Sequence, residues 1–176
     1  MLTISRYWWL SFIFLTTTGM ETKQEEEVRW DVPIGVGVLL IKEDQVFLVK
    51  RAYKDWGFGA VAGELNKGET LRQAAARHVE KEVGVTIGDS DLQFVCVVHY
   101  KTTDEKEAPL VFFFSTQSWT GEIFNKEPGR HSEAGWFSLD RLPGHLAPGE
   151  DLVFRNYKHS GSHQNAYLER GWKTGL

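Results

Sequence analysis

Residues 63–85 read Gly63-Glu64-Leu65-Asn66-Lys67-Gly68-Glu69-Thr70-Leu71-Arg72-Gln73-Ala74-Ala75-Ala76-Arg77-His78-Val79-Glu80-Lys81-Glu82-Val83-Gly84-Val85. A polar loop bounded by glycines runs into a helix whose two ends are written locally. Thr70 precedes the helical run and Gln73 falls three places later, so hydroxyl and amide can each cap the other's backbone donor. Gly84 stops it, because a glycine accepts the left-handed conformation of a helix C-terminus and lets Val85 turn back toward Val79. Leu71, Ala75, Val79 and Val83 recur at four-residue spacing and form the core stripe of a helix over 71–83. Arg72, Gln73, Arg77 and Glu80 project away from that stripe, and His78 and Glu82 share its border.

Outward from this segment the pattern changes from helical to β-rich. Gly35 to Ile41 and Val46 to Val49 are two β-rich runs around the polar turn Lys42-Glu43-Asp44-Gln45, a hairpin signal. Leu92 to Tyr100, Leu110 to Thr116 and Ala134 to Leu139 are further strand candidates, and Phe112-Phe113-Phe114 has the character of a core strand. A second helix follows Pro148, with Leu152, Val153 and Tyr157 on one side. Helices interspersed among strands predict an α/β (α+β) fold on a mixed sheet, without repeats.

Composition narrows the functional classes. The 176 residues suffice for one domain, which we place at residues 28–176. Twenty basic against twenty-four acidic side chains give a net charge of −4, which opposes nonspecific binding to a nucleic acid polymer. The single cysteine excludes a disulfide framework and fits a reducing compartment, and Cys96, inside an apolar run, reads as a buried small hydrophobe. Tyr7 to Leu15 is too short for a membrane span. Residues 1–27 read as a leader or extension. Cytoplasmic placement is the expectation, with a secreted or organellar location the alternative if residues 1–19 are a targeting segment. His159 and His163 are four apart, but Ser160-Gly161-Ser162 between them is a poor helix and no third ligand is evident.

The loop and helix together resemble the signature box of the Nudix hydrolases: Gly, five residues, Glu, seven residues, Arg-Glu, an aliphatic, any residue, Glu-Glu, any residue, Gly, an aliphatic. Gly63, Glu69, Arg77, Val79, Glu82, Gly84 and Val85 fall on that spacing, whereas His78 and Lys81 stand where the family has glutamates. Trp56-Gly57, Trp119-Thr120-Gly121-Glu122 and Glu133 to Pro143 look like further family segments, so the resemblance runs from about Val32 to Tyr157. It implies an α/β/α sandwich with a mixed sheet and the hydrolysis of a diphosphate linkage in a nucleoside diphosphate derivative by water activated with Mg²⁺ or Mn²⁺. A diphosphate carries several negative charges, and divalent ions neutralise and orient it; hard ions of this kind take oxygen ligands.

By the same resemblance Glu82, the carbonyl of Ala62 and Glu127 are candidate metal ligands, with Glu82, His78 and Glu127 as catalytic candidates. Glu69 and Arg77 would lock the loop to the helix between Gly63 and Gly84. Lys81, Lys50, Arg51 and Trp56 are candidate contacts to substrate, the cations to phosphate and the indole to a nucleobase. Lys81 also admits a different meaning, a fold kept for nucleotide binding or regulation after catalysis faded, so a catalytically impaired nucleotide-binding module is the alternative function. A small nucleotide or nucleotide-sugar is the expected partner, and the oligomeric state is open, a homodimer included.

Overall fold

The computed structural model describes residues 32–52, 55–101, 108–159 and 166–171. The leader at 1–27 and His163 lie outside them. The strands are β1 (Ile34–Lys42), β2 (Gln45–Arg51), β3 (Phe58–Gly59), β4 (Val61–Glu64), β5 (Gln93–Tyr100), β6 (Leu110–Thr116), β7 (His131–Ser138) and β8 (Ala166–Arg170). The helices are α1 (Leu71–Val83) and α2 (Glu150–His159). One mixed sheet runs β3-β2-β1-β6-β5-β8, with β4 paired to β1 and β7 to β2. The β1–β6 and β5–β8 pairs are parallel and the others antiparallel. Among the described residues no helix is long and apolar enough to cross a membrane.

Strand alternation buries both faces of this sheet. Val36, Val38 and Leu40 of β1 and Phe47 and Val49 of β2 pack with Ala75, Val79 and Val83 of α1. The intervening Leu39, Ile41, Val46 and Leu48 pack with Val153 and Phe154 of α2, and Cys96 and Phe113 join them. Period-two alternation thus feeds two apolar layers, each covered by one helix, which is the expected α/β/α sandwich. Burial pushes the Cys96 thiol up to about 12, as befits a packing residue.

Helix α1 has both predicted caps. Thr70 accepts from the Gln73 N–H while Gln73 accepts from the Thr70 N–H, and Gly84 sits at φ 79° with its N–H donating to the Glu80 carbonyl. Val85 joins Val79 in the same apolar layer. One expectation needs correcting: His78 and Glu82 are not at a border but buried, at 8% and 1% exposure. Segments distant in sequence cover that side of the helix, and no local pattern reports them. Strands β3, β4 and β8 were also unforeseen, and β7 begins at His131 rather than Ala134. β3 and β4 are two and four residues long and glycine-containing, so their register comes from partners across the sheet.

Candidate active site

The loop ahead of α1 is locked as the resemblance implies. Arg77 Nη2 donates to Glu69 Oε2 at 2.8 Å, and its Nε donates to the other carboxylate oxygen. The guanidinium, with help from the Asn66 N–H, holds the Glu69 carboxyl down to about 2. Arg77 also reaches the Glu64 carbonyl at 3.0 Å, which ties the helix to the end of β4. Gly63 is required by what lies over it: a Cβ there would stand 1.9 Å from the His78 ring. The imidazole therefore rests on the glycine backbone. Its Nε2 lies 3.0 Å from the Glu64 carbonyl, which can only accept, so Nε2 carries the hydrogen and Nδ1 faces Glu82.

Glu82 lies between two imidazoles. His78 Nδ1 is 3.5 Å from Oε1 and His131 Nε2 is 3.4 Å from Oε2, but His78 Nδ1 and Glu82 Oε2 have no hydrogen-bond partner among the described residues. Burial pushes the His131 imidazole below its usual range, against the attraction of Glu82. His131 owes its place to two constraints. It opposes Arg51 across the β2–β7 pair, beside an irregularity in register, and Asn125 Nδ2 donates to its carbonyl at 2.9 Å.

The last carbonyls of α1 position the loop that follows β6. Phe124 N–H donates to the Val83 carbonyl at 3.2 Å, Lys126 N–H to the Glu82 carbonyl at 2.9 Å, and Lys126 Nζ to the Glu80 carbonyl at 3.2 Å. Acceptors that any helix leaves unpaired at its end are thus satisfied by this loop. The next residue, Glu127, is thereby set against Lys81: the ammonium is 3.6 Å from Oε1, and Arg130 Nε is 3.8 Å from Oε2. Glu127 Oε2 has no hydrogen-bond partner among the described residues.

The other candidates scatter. The carbonyl of Ala62, expected to face a metal, accepts from Arg51 Nη2 at 3.0 Å. Lys50, expected at the substrate, donates instead to Glu133 at 2.9 Å and lies over the Phe58 ring. Arg51, Ala62 and Trp56 share the wall of a cavity of about 650 Å³ with Tyr100, Phe113 and Glu150. Trp119 is stacked on Trp136 against the core, a structural role.

Glu150 and His131 are the residues that sequence reasoning passed over. Glu150 opens α2 and is 5% exposed; its Oε1 accepts from the Ala60 N–H at 3.1 Å, and its Oε2 has no hydrogen-bond partner among the described residues. Burial pushes its carboxyl up to about 7, with Arg51 pulling the other way. An acidic residue in a first helical turn looks like ordinary dipole compensation, so only its position after Pro148-Gly149, close to the cavity, would have marked it. For His131 no local signal existed.

A family profile described as the NUDIX domain matches residues 31–157. An oxidized purine nucleoside triphosphate hydrolase of Danio rerio is 27% identical over 122 residues, 66% of this chain and 73% of that protein. The NAD-capped RNA hydrolase NudC of Pseudomonas aeruginosa is 29% identical over 107 residues, and the match spans only 36% of that protein. Among solved structures, a MutT NUDIX hydrolase from Burkholderia pseudomallei superposes with a TM-score of 0.66 at 25% identity, over 70% of this chain and 96% of that one.

Proposed function

The chain belongs to the NUDIX domain family, and from that membership we propose that it is a hydrolase cleaving the diphosphate linkage of a nucleoside diphosphate derivative. The observation that carries this reading is Glu82: a carboxylate at 1% exposure, on the box helix, with an oxygen that no described residue satisfies. An unpaired buried carboxylate oxygen is costly unless something else meets it.

The donor set fits a divalent cation in part. Glu82 and Glu127 each keep a buried oxygen without a hydrogen-bond partner among the described residues, the ligand type that Mg²⁺ or Mn²⁺ takes. Those two residues would hold the ion, and the carbonyl of Ala62 could join them only if Arg51 let go of it. What a bound ion supplies is charge neutralisation at the diphosphate and a more acidic attacking water. The chain's own groups do the rest. Arg51 and Lys81 present cations to phosphate oxygens, His131 stands 3.4 Å from Glu82 with its imidazole pushed below its usual range by burial, and the His78 ring rests on the Gly63 backbone with Nδ1 toward Glu82. The cavity beside Arg51 would take the nucleoside, with Trp56 and Phe113 as apolar walls and Glu150 as the polar group within it. A cytoplasmic domain spanning residues 28–176 is part of this reading, supported by one buried, unpaired cysteine.

A second reading, a nucleotide-binding module with faded catalysis, draws on His78 and Lys81 occupying glutamate positions. One screen separates the two. The unaltered chain and the His78→Glu/Lys81→Glu pair are assayed on nucleoside triphosphates, dinucleotides, nucleotide sugars and NAD-capped RNA with Mg²⁺ and Mn²⁺. The hydrolase reading predicts turnover of a small nucleotide by the unaltered chain. Silence from it beside activity in the double substitution selects the module, and calorimetry without nucleotide binding overturns both.

A further inference from the structure

We propose that His78 and Glu82 together hold a zinc-like divalent transition ion, through one imidazole nitrogen and one carboxylate oxygen; this deepens the reading of Glu82 as a metal ligand and rests on it. The two residues are four apart on α1, a spacing that puts side chains on one helix face. His78 Nδ1 and Glu82 Oε1 stand 3.5 Å apart, in side chains 10% and 2% exposed. The ring hydrogen sits at Nε2, because the Glu64 carbonyl 3.0 Å away can only accept. Nδ1 therefore turns a lone pair toward a carboxylate, and it has no hydrogen-bond partner among the described residues. Two buried acceptors that face each other are costly, and a cation between them removes the cost.

The donors decide which cation. A hard ion such as Mg²⁺ takes oxygen, whereas imidazole suits zinc and its first-row neighbours. Donors roughly 2.0–2.1 Å from a tetrahedral ion lie about 3.4 Å from each other, close to the separation of this pair. His78 is also held as a ligating histidine is held: its other ring nitrogen is spent on a backbone carbonyl, which fixes the tautomer, and the absent side chain of Gly63 leaves room for the ring. Glu127 is less available to the same ion, since Lys81 and Arg130 flank its oxygens at 3.6 and 3.8 Å. No three histidine, cysteine or acidic groups converge among the described residues, so water and a phosphate oxygen of the substrate complete the coordination, as at an open catalytic site. The histidine that departs from the signature pattern thus changes which ion the site prefers.

Calorimetry on the full chain with Zn²⁺ alone and with Mg²⁺ alone tests this, together with proton NMR of the Co²⁺-loaded protein. His78→Gln should weaken Zn²⁺ binding by about tenfold or more while changing Mg²⁺ binding by less than about twofold. Bound Co²⁺ should shift the ring N–H resonance of His78 far from its usual position, and His78→Gln should remove that resonance. An unchanged Zn²⁺ affinity in His78→Gln, or the same set of shifted resonances in it, overturns the proposal; Glu82→Gln weakening both ions would then leave the reading of Glu82 as a metal ligand intact. Glu82→Gln binding both ions as the unaltered chain does overturns that reading and the proposal with it. Circular dichroism and thermal midpoints of each variant without metal separate a lost ligand from lost folding.

Discussion

Glu150 opens α2 and lies buried on the cavity wall. Burial disfavours the charge and pushes its carboxyl up to about 7 in the folded chain, against an ordinary 4.5. Folding therefore favours the protonated form: the group's stabilising effect is complete below about pH 4.5 and is lost as pH rises through 7. The loss amounts to on the order of 3 kcal/mol at mildly alkaline pH. Glu150→Gln keeps an acceptor for the Ala60 N–H without the ionisation. Thermal midpoints at pH 5 and pH 8 should therefore differ less in that variant than in the parent; an unchanged difference would contradict the burial argument. His131 was equally illegible, since a histidine in a polar stretch carries no mark of the distant Glu82 that it meets.

At the scale of elements, α1 was legible because everything that defines it is local: Thr70 with Gln73, Gly84, and the stripe of Ala75, Val79 and Val83. What the helix buries on its other side was not legible, because β4 and the loop carrying Glu127 arrive from elsewhere. Gly63 and His78 join the two kinds of information. Gly63→Ala drives a methyl group into the imidazole, and overpacking of this sort costs about 1–3 kcal/mol. Adding His78→Ala should recover most of the lost denaturation midpoint. A double variant no more stable than Gly63→Ala alone would mean that the imidazole is not what demands glycine. The Glu69–Arg77 pair predicts a separate acid response. With the Glu69 carboxyl held down to about 2, its contribution is present above about pH 4.5 and lost as pH falls toward 2. Glu69→Gln should therefore flatten the acid limb of a stability profile, and an unaltered limb would remove the pair from the account.

Across the whole molecule, the sheet is the frame that brings these pieces together. The β1–β4 pair delivers Ala62 and Gly63, the β2–β7 pair delivers Arg51 and His131, and α1 lays Glu82 over both. The hairpin of β1 and β2 was readable from two β-rich runs around a polar turn, and the sandwich was implied by the resemblance of residues 63–85; the convergence of strands far apart in the chain was not readable, since only the register sets it. With a net charge of −4 the molecule has no general attraction for phosphate, and under the proposed function the local cations at Arg51 and Lys81 supply it. The central claim is that hydrolysis runs through the buried Glu82 carboxylate. Its most direct test is the turnover of the best nucleotide substrate in Mn²⁺ by the unaltered chain and by Glu82→Gln, at matched thermal midpoints. A loss of about a hundredfold or more in kcat is the predicted result; an unchanged kcat in a folded Glu82→Gln protein would contradict it.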